Sequence, residues 1–450
     1  MRYDIIISLL FSILFLGSCV ENSKARTRKD EEQRKTKALD TSVSYPVTVN
    51  LQEAIANVDT NVCLSTFVES IEYIPLKLKN YYLGDRILQQ YYDEQSENFF
   101  FCDMKKVLRV NKDGTLSNTI GRLGQGPGEY AQVSRLSIDD IRKNVYIYDG
   151  LSRRMLKFDY TGKSAKNLFR VTGKKITSDL TYYNGNFLSR SDIYVFRPQY
   201  PQYVDLLYGF GIHDTLGNLI EMTPPLHSRL KGHSRDYVQL ISPFATTCYK
   251  DVLIVTDAEL ADTIYTVSNE HFVPRYILDY GDKQPDIQKI WNRDPNIREA
   301  EIKRTIYTRD LPHETSRYFF MRCRFGGDKY VVCYDKYEKR HFSVKYDDSI
   351  ISDKGLASVG FEHLFVDMAF RNDIDGGIDA YIGTASTLGN YWFITIDAYA
   401  LKTLLTDKFF AGRTEVLDKN GQMALKMLVD NLDDEDDQVI MLMKLKASAK

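Results

Sequence analysis

Short apolar runs that end in aspartate recur along this chain, several of them alternating with polar positions. Phe99-Phe100-Phe101-Cys102-Asp103 leads through Met104-Lys105-Lys106 into Val107-Leu108-Arg109-Val110, and Asn111-Lys112-Asp113-Gly114 turns the chain back. Val145-Tyr146-Ile147-Tyr148-Asp149 follows the same grammar into Arg154-Met155-Leu156-Lys157-Phe158-Asp159 and a turn at Tyr160-Thr161-Gly162. Weaker copies end at Asp192, Asp257, Asp335 and Asp397, which with Asp103 and Asp149 mark six units. A repeat decides a fold more firmly than local propensity, and the tightest spacing is near the roughly 40–50 residues of a four-stranded propeller blade. Period-two alternation suits antiparallel strands, and radial repetition leaves only short, protected edges. The pattern predicts an all-β, six-bladed β-propeller with short helical insertions.

The interruptions and the ends support the same ring. Ile287, Ile290, Trp291, Ile297, Ile302 and Ile306 recur at near-helical spacing among charges, which predicts a helical insertion over Pro285 to Arg317. Leu401, Leu404 and Leu405 begin a second helical stretch after Asp397, and Met423 to Leu432 a third. Val68 to Leu76 and Val439 to Leu445 both read as strands without a local partner. Pairing them inside one blade closes the ring and removes the hazard of an open edge.

A different kind of sequence precedes the repeat. Ile5 to Leu16 carries no charge, is too short to cross a bilayer and suits the apolar core of a signal peptide, with Arg2 as flanking cation. Leu16-Gly17-Ser18-Cys19 directly behind it resembles the bacterial lipobox, in which the Cys thiol receives a diacylglyceryl group. Multiple acyl chains on one Cys hold a protein durably, at about 0.8 kcal/mol per buried methylene. From Glu21 to Asp40 charges of both signs dominate with no apolar period, the composition of a solvated tether. The organisation read here is a signal peptide over 1–18, a tether over 19–45 and a propeller over 46–450. It predicts a cell-envelope protein, lipid-anchored to the outer membrane through Cys19 on the periplasmic or the surface face. Val20-Glu21-Asn22 brings no acidic cluster that would favour the surface.

Charge, cysteines and histidines narrow the chemistry. A net charge of −2 gives no electrostatic footprint for nucleic acid. Cys63, Cys102, Cys248, Cys323 and Cys333 contain no CxxC pair, while Cys323 and Cys333 flank Gly326-Gly327 and leave a hairpin disulfide open. The seven histidines form neither HxH nor HExxH, and no G-x-S-x-G elbow is present. The Asp-box of sialidase-like propellers and the repeated Trp motifs of quinone-dependent propellers are missing as well, which favours binding over catalysis. No cofactor is predicted beyond a Ca ion at one loop. There, Asn372-Asp373-Ile374-Asp375-Gly376-Gly377-Ile378-Asp379 sets carboxylates, Asp373 and Asp375 among them, around a glycine turn. That composition makes a cradle for a hard cation or an Asx-turn without one. Asp433 to Asp437 reads as an exposed turn. Tyr81, Tyr82, Tyr91, Tyr92, Tyr182 and Tyr183 suit strands and equally sugar or peptide surfaces, and Tyr194 to Tyr208 reads as a binding loop.

Gly121-Arg122-Leu123-Gly124-Gln125-Gly126-Pro127-Gly128-Glu129-Tyr130, preceded by Val107 to Gly114, resembles the GQGPGEY hallmark of six-bladed β-propeller lipoproteins of Bacteroides-type bacteria. The resemblance extends to Tyr73-Ile74-Pro75-Leu76 and to Asp433 to Leu445, so it covers nearly the whole mature chain. It implies a TolB- or NHL-like ring and brings no established activity. The loop itself allows two readings. As an interblade crossing, Gly124, Gly126 and Gly128 permit close approach while Pro127 stiffens the backbone. As a ligand site, its amides hold an anion or carboxylate, with Arg122, Gln125, Glu129 and Tyr130 as side-chain contacts. No Lys-Ser or Lys-Thr follows, so it is not a phosphate-binding P-loop. The function this supports is a membrane-anchored propeller that binds or scaffolds a glycan, peptide or envelope protein. The alternative is a hydrolase or lyase with its site in the central channel, which the fold alone does not assign.

Overall fold

A computed structural model describes residues 43–78, 81, 83, 87, 89–171, 177–191, 210–223, 246–249, 252–256, 262–290, 292, 294–308, 312–346, 370–380, 386–387, 390–432 and 438–446. The segment read as a signal peptide, Cys19, the charged segment through residue 42, Asp192, Asp257, the Tyr194 to Tyr208 segment read as a binding loop and the Asp433 to Asp437 run lie outside the described residues.

The strands form the successive antiparallel sheets of a six-bladed β-propeller. Blade 1 comprises Gln89–Asp93, Asn98–Cys102, Val107–Asn111 and Leu116–Thr119. Blade 2 follows with Val133–Asp139, Asn144–Asp149, Arg154–Asp159 and Ala165–Arg170. Blade 3 runs from Thr177–Tyr183 to Leu219–Met222, and blade 4 from Thr246–Tyr249 to His271–Asp279. Val47–Asn50 adds to the rim of blade 4 in parallel, with Val47 opposite Tyr276. In blade 5 the short strands Tyr307–Thr308 and His313–Glu314 flank Tyr318–Phe325, followed by Asp328–Asp335 and Arg340–Tyr346. Blade 6 joins both ends of the chain: Tyr391–Asp397 pairs Gln438–Leu445, which pairs Val68–Pro75 with Val68 opposite Leu445 and Pro75 opposite Val439. The closure expected from the two unpartnered terminal strands is the one observed.

Burial follows position in the blade. Asn98–Cys102 and Asn144–Asp149 are buried at every residue, whereas Leu116–Thr119 and Ala165–Arg170 are buried at none. Blades pack face against face, so a middle strand is covered on both sides and only the rim meets solvent. Phe100, Val107, Val133, Leu136, Ile147 and Phe158 make one such interblade core. Each fully buried side chain of this size stabilises the fold by about 1.5–3 kcal/mol.

The recurrent aspartates have a geometric cause: a carboxylate at a strand end accepts the amides of the turn that follows. Asp103 takes the Lys105 and Lys106 amides at 2.7 and 2.8 Å, and Asp335 those of Tyr337 and Glu338 at 3.0 and 3.1 Å. Asp397 caps the helix Ala398–Leu404 through the Ala400 amide. Asp335 nevertheless stands one strand out of phase, closing the third strand of its blade where Asp103 and Asp149 close the second.

Two further expectations are corrected. Among the described residues, helix occupies only Ile287–Ile290 and Pro295–Arg304 of the segment read as helical through Arg317. The β-branched Thr305 turns extended there, its hydroxyl bonded to Glu301 O at 2.7 Å, and the chain continues as the short strands of blade 5. Cys323 and Cys333 are free and buried. Cys323 stands opposite Tyr330 and Cys333 opposite Phe320. Three ladder positions separate them, about 10 Å on opposite sheet faces, beyond the reach of a disulfide.

In an up-and-down blade the turn between the second and third strands lies on the same face as the crossing to the next blade. The turns after Asp103 and Asp149, the Gly121 to Tyr130 loop, the helices before blade 5, the Asn372 to Asp379 loop and the helices Ala398–Leu404, Asp407–Ala411 and Lys419–Asn431 therefore share one crossing face. Ser386–Thr387 pairs in parallel with Tyr91 and Tyr92 of blade 1 and with Tyr249 of blade 4. Those blades stand opposite each other in a ring of six, so this segment crosses the middle of the channel.

Candidate functional site

Three segments of the crossing face are laced into one platform. The Val133 amide donates to Met104 O at 3.0 Å, tying the blade 1 turn to the first strand of blade 2. The Ala131 and Gln132 amides donate to the Asp149 carboxylate at 2.9 and 3.3 Å, and Arg154 Nη2 to Glu129 O at 3.0 Å. Asp149 also accepts the Ser152 amide at 3.2 Å and its hydroxyl at 2.5 Å. Burial opposes its charge, but the Ser152 hydroxyl and the Ala131 amide outweigh it and hold the carboxyl below the usual aspartate range.

The GQGPGEY loop between these turns is internally bonded. The Tyr130 amide donates to Arg122 O at 3.1 Å and the Gly124 amide to Tyr130 O at 3.0 Å, a short ladder across the loop neck. Glu129 accepts the Gly126 amide at 2.8 Å and Arg122 Nε at 2.6 Å, and in that order these lower its pKa. A Cβ on Gly124 would fall on the Glu129 carboxylate. Gly128, at φ +77°, leaves no room for one against Ala165 of blade 2. Tyr130 is a core residue, 1% exposed, with its hydroxyl on Ile120 O at 3.2 Å.

Loop residues thus divide by role. Glu129 and Tyr130 hold the crossing together, while Arg122, its side chain 81% exposed, and Gln125 face solvent. Over the laced segments 103–106, 121–132 and 149–154 the exposed residues are Met104, Lys105, Arg122, Leu123, Gln125, Pro127 and Leu151. Met104 is 50%, Leu123 46% and Leu151 70% exposed. None of the seven is acidic, because Asp103, Glu129 and Asp149 are turned onto backbone amides.

The second group of expected site residues lies in a separate loop beside blade 6. Asp373 accepts the Ser65 amide at 3.0 Å and its hydroxyl at 2.6 Å. Asp375, buried, accepts Asn372 Nδ2 at 2.7 Å and the Gly377 amide at 2.9 Å, and burial raises its pKa. Asp379 receives both terminal nitrogens of Arg413 at 2.7 and 2.8 Å. The three carboxylates turn to three different partners, and among the described residues no group of three or more His, Cys, Asp or Glu side chains has metal-binding geometry.

Two buried constellations carried no sequence signal because their members come from separate strands. Glu314 of blade 5 accepts Arg275 Nε and Nη2 at 2.7 and 2.6 Å and Lys336 Nζ at 2.8 Å, and Tyr45 donates to it at 3.2 Å. Burial pushes the Glu314 pKa up, but Lys336 and Arg275 outweigh it and hold it at about 2. Burial followed by Arg322 lowers the neighbouring His313 to about 3. Tyr45, at the end of the segment read as tether, stacks edge-on against Tyr276 and under Arg275. In blade 3, Ser189 Oγ lies 2.7 Å from His213 Nε2, and His213 Nδ1 lies 3.2 Å from Gly217 O.

Tyr91, Tyr92 and Tyr182 are structural as placed: Tyr91 donates to Leu136 O at 2.8 Å, Tyr92 stacks on Phe99, and Tyr182 stacks on Tyr146 at 3.9 Å between ring centres. No helix among the described residues is long and apolar enough to cross a membrane. No curated protein matches the sequence. A crystal structure of a candidate exported protein from Bacteroides fragilis NCTC 9343 superposes with a TM-score of 0.59 at 18% identity, covering 89% of this chain and 99% of that one. A Bacteroides vulgatus ATCC 8482 member of the DUF4221 family aligns with a TM-score of 0.42 at 10% identity over 85% of this chain and 98% of that one. Residues 46–444, from just before the first strand through the closing one, match a single family model, so this chain belongs to DUF4934, a domain of unknown function with a six-bladed β-propeller fold here.

Proposed function

We propose that this chain is an envelope lipoprotein, held to the membrane through Cys19, whose propeller is a binding or scaffolding module with the crossing face as its working face. One observation carries the reading: the platform between blades 1 and 2 is rigidly laced, yet presents only apolar, basic and neutral residues to solvent. Fixing loop geometry through hydrogen bonds while leaving Met104, Lys105, Leu123, Gln125 and Leu151 exposed suits recognition, since binding residues sit on loops positioned by a rigid scaffold. The similarity to the candidate exported B. fragilis protein supports export, and the apolar run ahead of Cys19 supports the anchor. A photo-crosslinking side chain at Gln125 in the full chain, activated in intact envelopes, tests it. A defined adduct at Gln125, with none from a probe at Leu216 in the blade 3 turn of the opposite face, is expected. No adduct at Gln125, together with no binding to a polysaccharide panel, overturns the reading.

The hydrolase alternative has one observation on its side, the Ser189–His213 pair. Its hydroxyl belongs to a residue only 1% exposed inside blade 3, which a substrate would have to open. Loss of ester hydrolysis by Ser189→Ala, with the fold intact, would establish that reading; a wild-type chain without esterase activity removes it.

A further inference from the structure

We propose that the platform between blades 1 and 2 binds an acidic peptide segment that carries aliphatic side chains. This rests on the reading of the crossing face as the working face. Charge complementarity is the first argument. The three laced segments hold Lys105, Lys106, Arg122, Arg153 and Arg154 against Asp103, Glu129 and Asp149. Each of the three acids is already satisfied, on the amides of Lys105 and Lys106, of Gly126, and of Ala131, Gln132 and Ser152, and beside one cation each, Lys106 at 3.6 Å, Arg122 at 2.6 Å and Arg154 at 3.4 Å, which leaves the three segments with two positive charges in excess. The outward field is therefore basic although the whole chain carries a net charge of −2.

Apolar placement is the second argument. Met104, Leu123 and Leu151 stand at the tips of three different segments, each beside a cation in sequence or one polar residue removed from one: Met104 before Lys105, Leu123 after Arg122, Leu151 two residues before Arg153. Exposed aliphatic side chains spaced among fixed cations match a partner in which Leu or Ile alternates with Asp or Glu. The tips are aliphatic and no exposed carboxylate is available to accept sugar hydroxyls, which disfavours a glycan. Gln125 and Pro127 stand exposed on the same loop as Leu123. The Gln125 amide offers both a donor and an acceptor to a peptide backbone, whereas insertion of this loop into lipid would strip it of partners. The lacing supplies the remaining requirement, because a platform fixed before binding loses little conformational freedom on capture.

The test uses the full chain and a fluorescent dodecapeptide of Glu-Glu-Leu repeats, read by anisotropy, with a Gln-Gln-Leu peptide, a Lys-Lys-Leu peptide and phosphatidylglycerol vesicles as comparators. Saturable binding of the acidic peptide alone is expected, weakening as salt is raised. Lys105→Glu with Arg122→Gln should weaken it at least tenfold, and Leu123→Ser with Leu151→Ser by a comparable factor, while circular dichroism shows the propeller still folded. Equal binding of the Gln or Lys peptides, or binding of vesicles and not of the peptide, overturns the proposal. The Gln125 crosslink separates the two levels: an adduct that the acidic peptide fails to compete away sinks this inference and leaves the binding role standing, whereas an absent adduct together with no polysaccharide binding sinks the binding role itself.

Discussion

Two charge-rich regions of this propeller use the same side chains in opposite ways. Between blades 4 and 5, Arg275, Glu314 and Lys336 are all buried and both cations donate to Glu314, with Tyr45 drawn into the same cluster. Between blades 1 and 2, the acids serve the backbone first, and the cations Lys105 and Arg122 stand exposed, Arg122 with its Nε on Glu129 at 2.6 Å. A carboxylate that neutralises buried cations is architecture, since removing it strands charge in a low-dielectric interior. A carboxylate that accepts amides shapes a loop and leaves its cationic neighbours at the surface, where an ion pair contributes little. The difference teaches that the count of charges along the chain is a poor guide to function here, and that the partner of each carboxylate is a good one.

The comparison can be broken most severely at Glu314. Glu314→Gln should destabilise the chain by about 3–5 kcal/mol in urea titration, because Arg275 and Lys336 lose their counter-ion. Replacing the trio together with Leu and Met should recover much of that loss. The same carboxylate sets an acid limit. Its folded pKa, about 2, lies below the ordinary 4.5, so its contribution is complete above pH 4.5 and is lost as pH falls toward 2. That interval corresponds to about 3 kcal/mol, and the acid-unfolding curve of Glu314→Gln should be flatter across it than that of the wild type. Next in size is Asp149→Ala, which strands the Ala131, Gln132 and Ser152 amides and should cost about 2 kcal/mol, with faster exchange of those amide hydrogens as the local readout. Gly124→Ala pushes Glu129 off the Gly126 amide and should cost about 1 kcal/mol. The smallest effect on stability belongs to Leu151→Ser, within about 0.5 kcal/mol, although it should reduce the Gln125 adduct.

Most of the fold was legible because its signals are local and repeated. The strand grammar is written in the turns, where a carboxylate at the strand end caps the following amides, and the terminal strands announced their pairing by lacking any other partner. Phase and register were not legible. Asp335 looks like the other markers, yet the two short strands Tyr307–Thr308 and His313–Glu314 shift it to the third strand. Cys323 and Cys333 flank a glycine turn, but the tight Phe325–Asp328 hairpin pairs each with an aromatic residue instead of the other. For the candidate site, the motif located the loop and its exposed Arg122 and Gln125. It could not show that Glu129 and Tyr130 are held inside, since that depends on Ile120 O and the Gly126 amide meeting them in space. Met104 and Leu151 belong to the platform only through bonds between residues 17 or more positions apart, such as Gln132 to Asp149 and Val133 to Met104 across the blade boundary. The Glu314 cluster gave no signal for the same reason, its Tyr45 lying 269 residues from Glu314.

Exposed methionines provide the most direct test that the blade 1–2 platform is the covered surface. Met104 on the platform is 50% exposed and Met427 on the Lys419–Asn431 helix 65%, so both should oxidise readily to sulfoxide in the purified full chain. Mild peroxide treatment of intact envelopes, followed by peptide mass spectrometry, compares the two side by side. The account predicts that Met104 is protected several-fold in the envelope while Met427 oxidises as it does in the purified chain; equal oxidation of Met104 in both settings would contradict it.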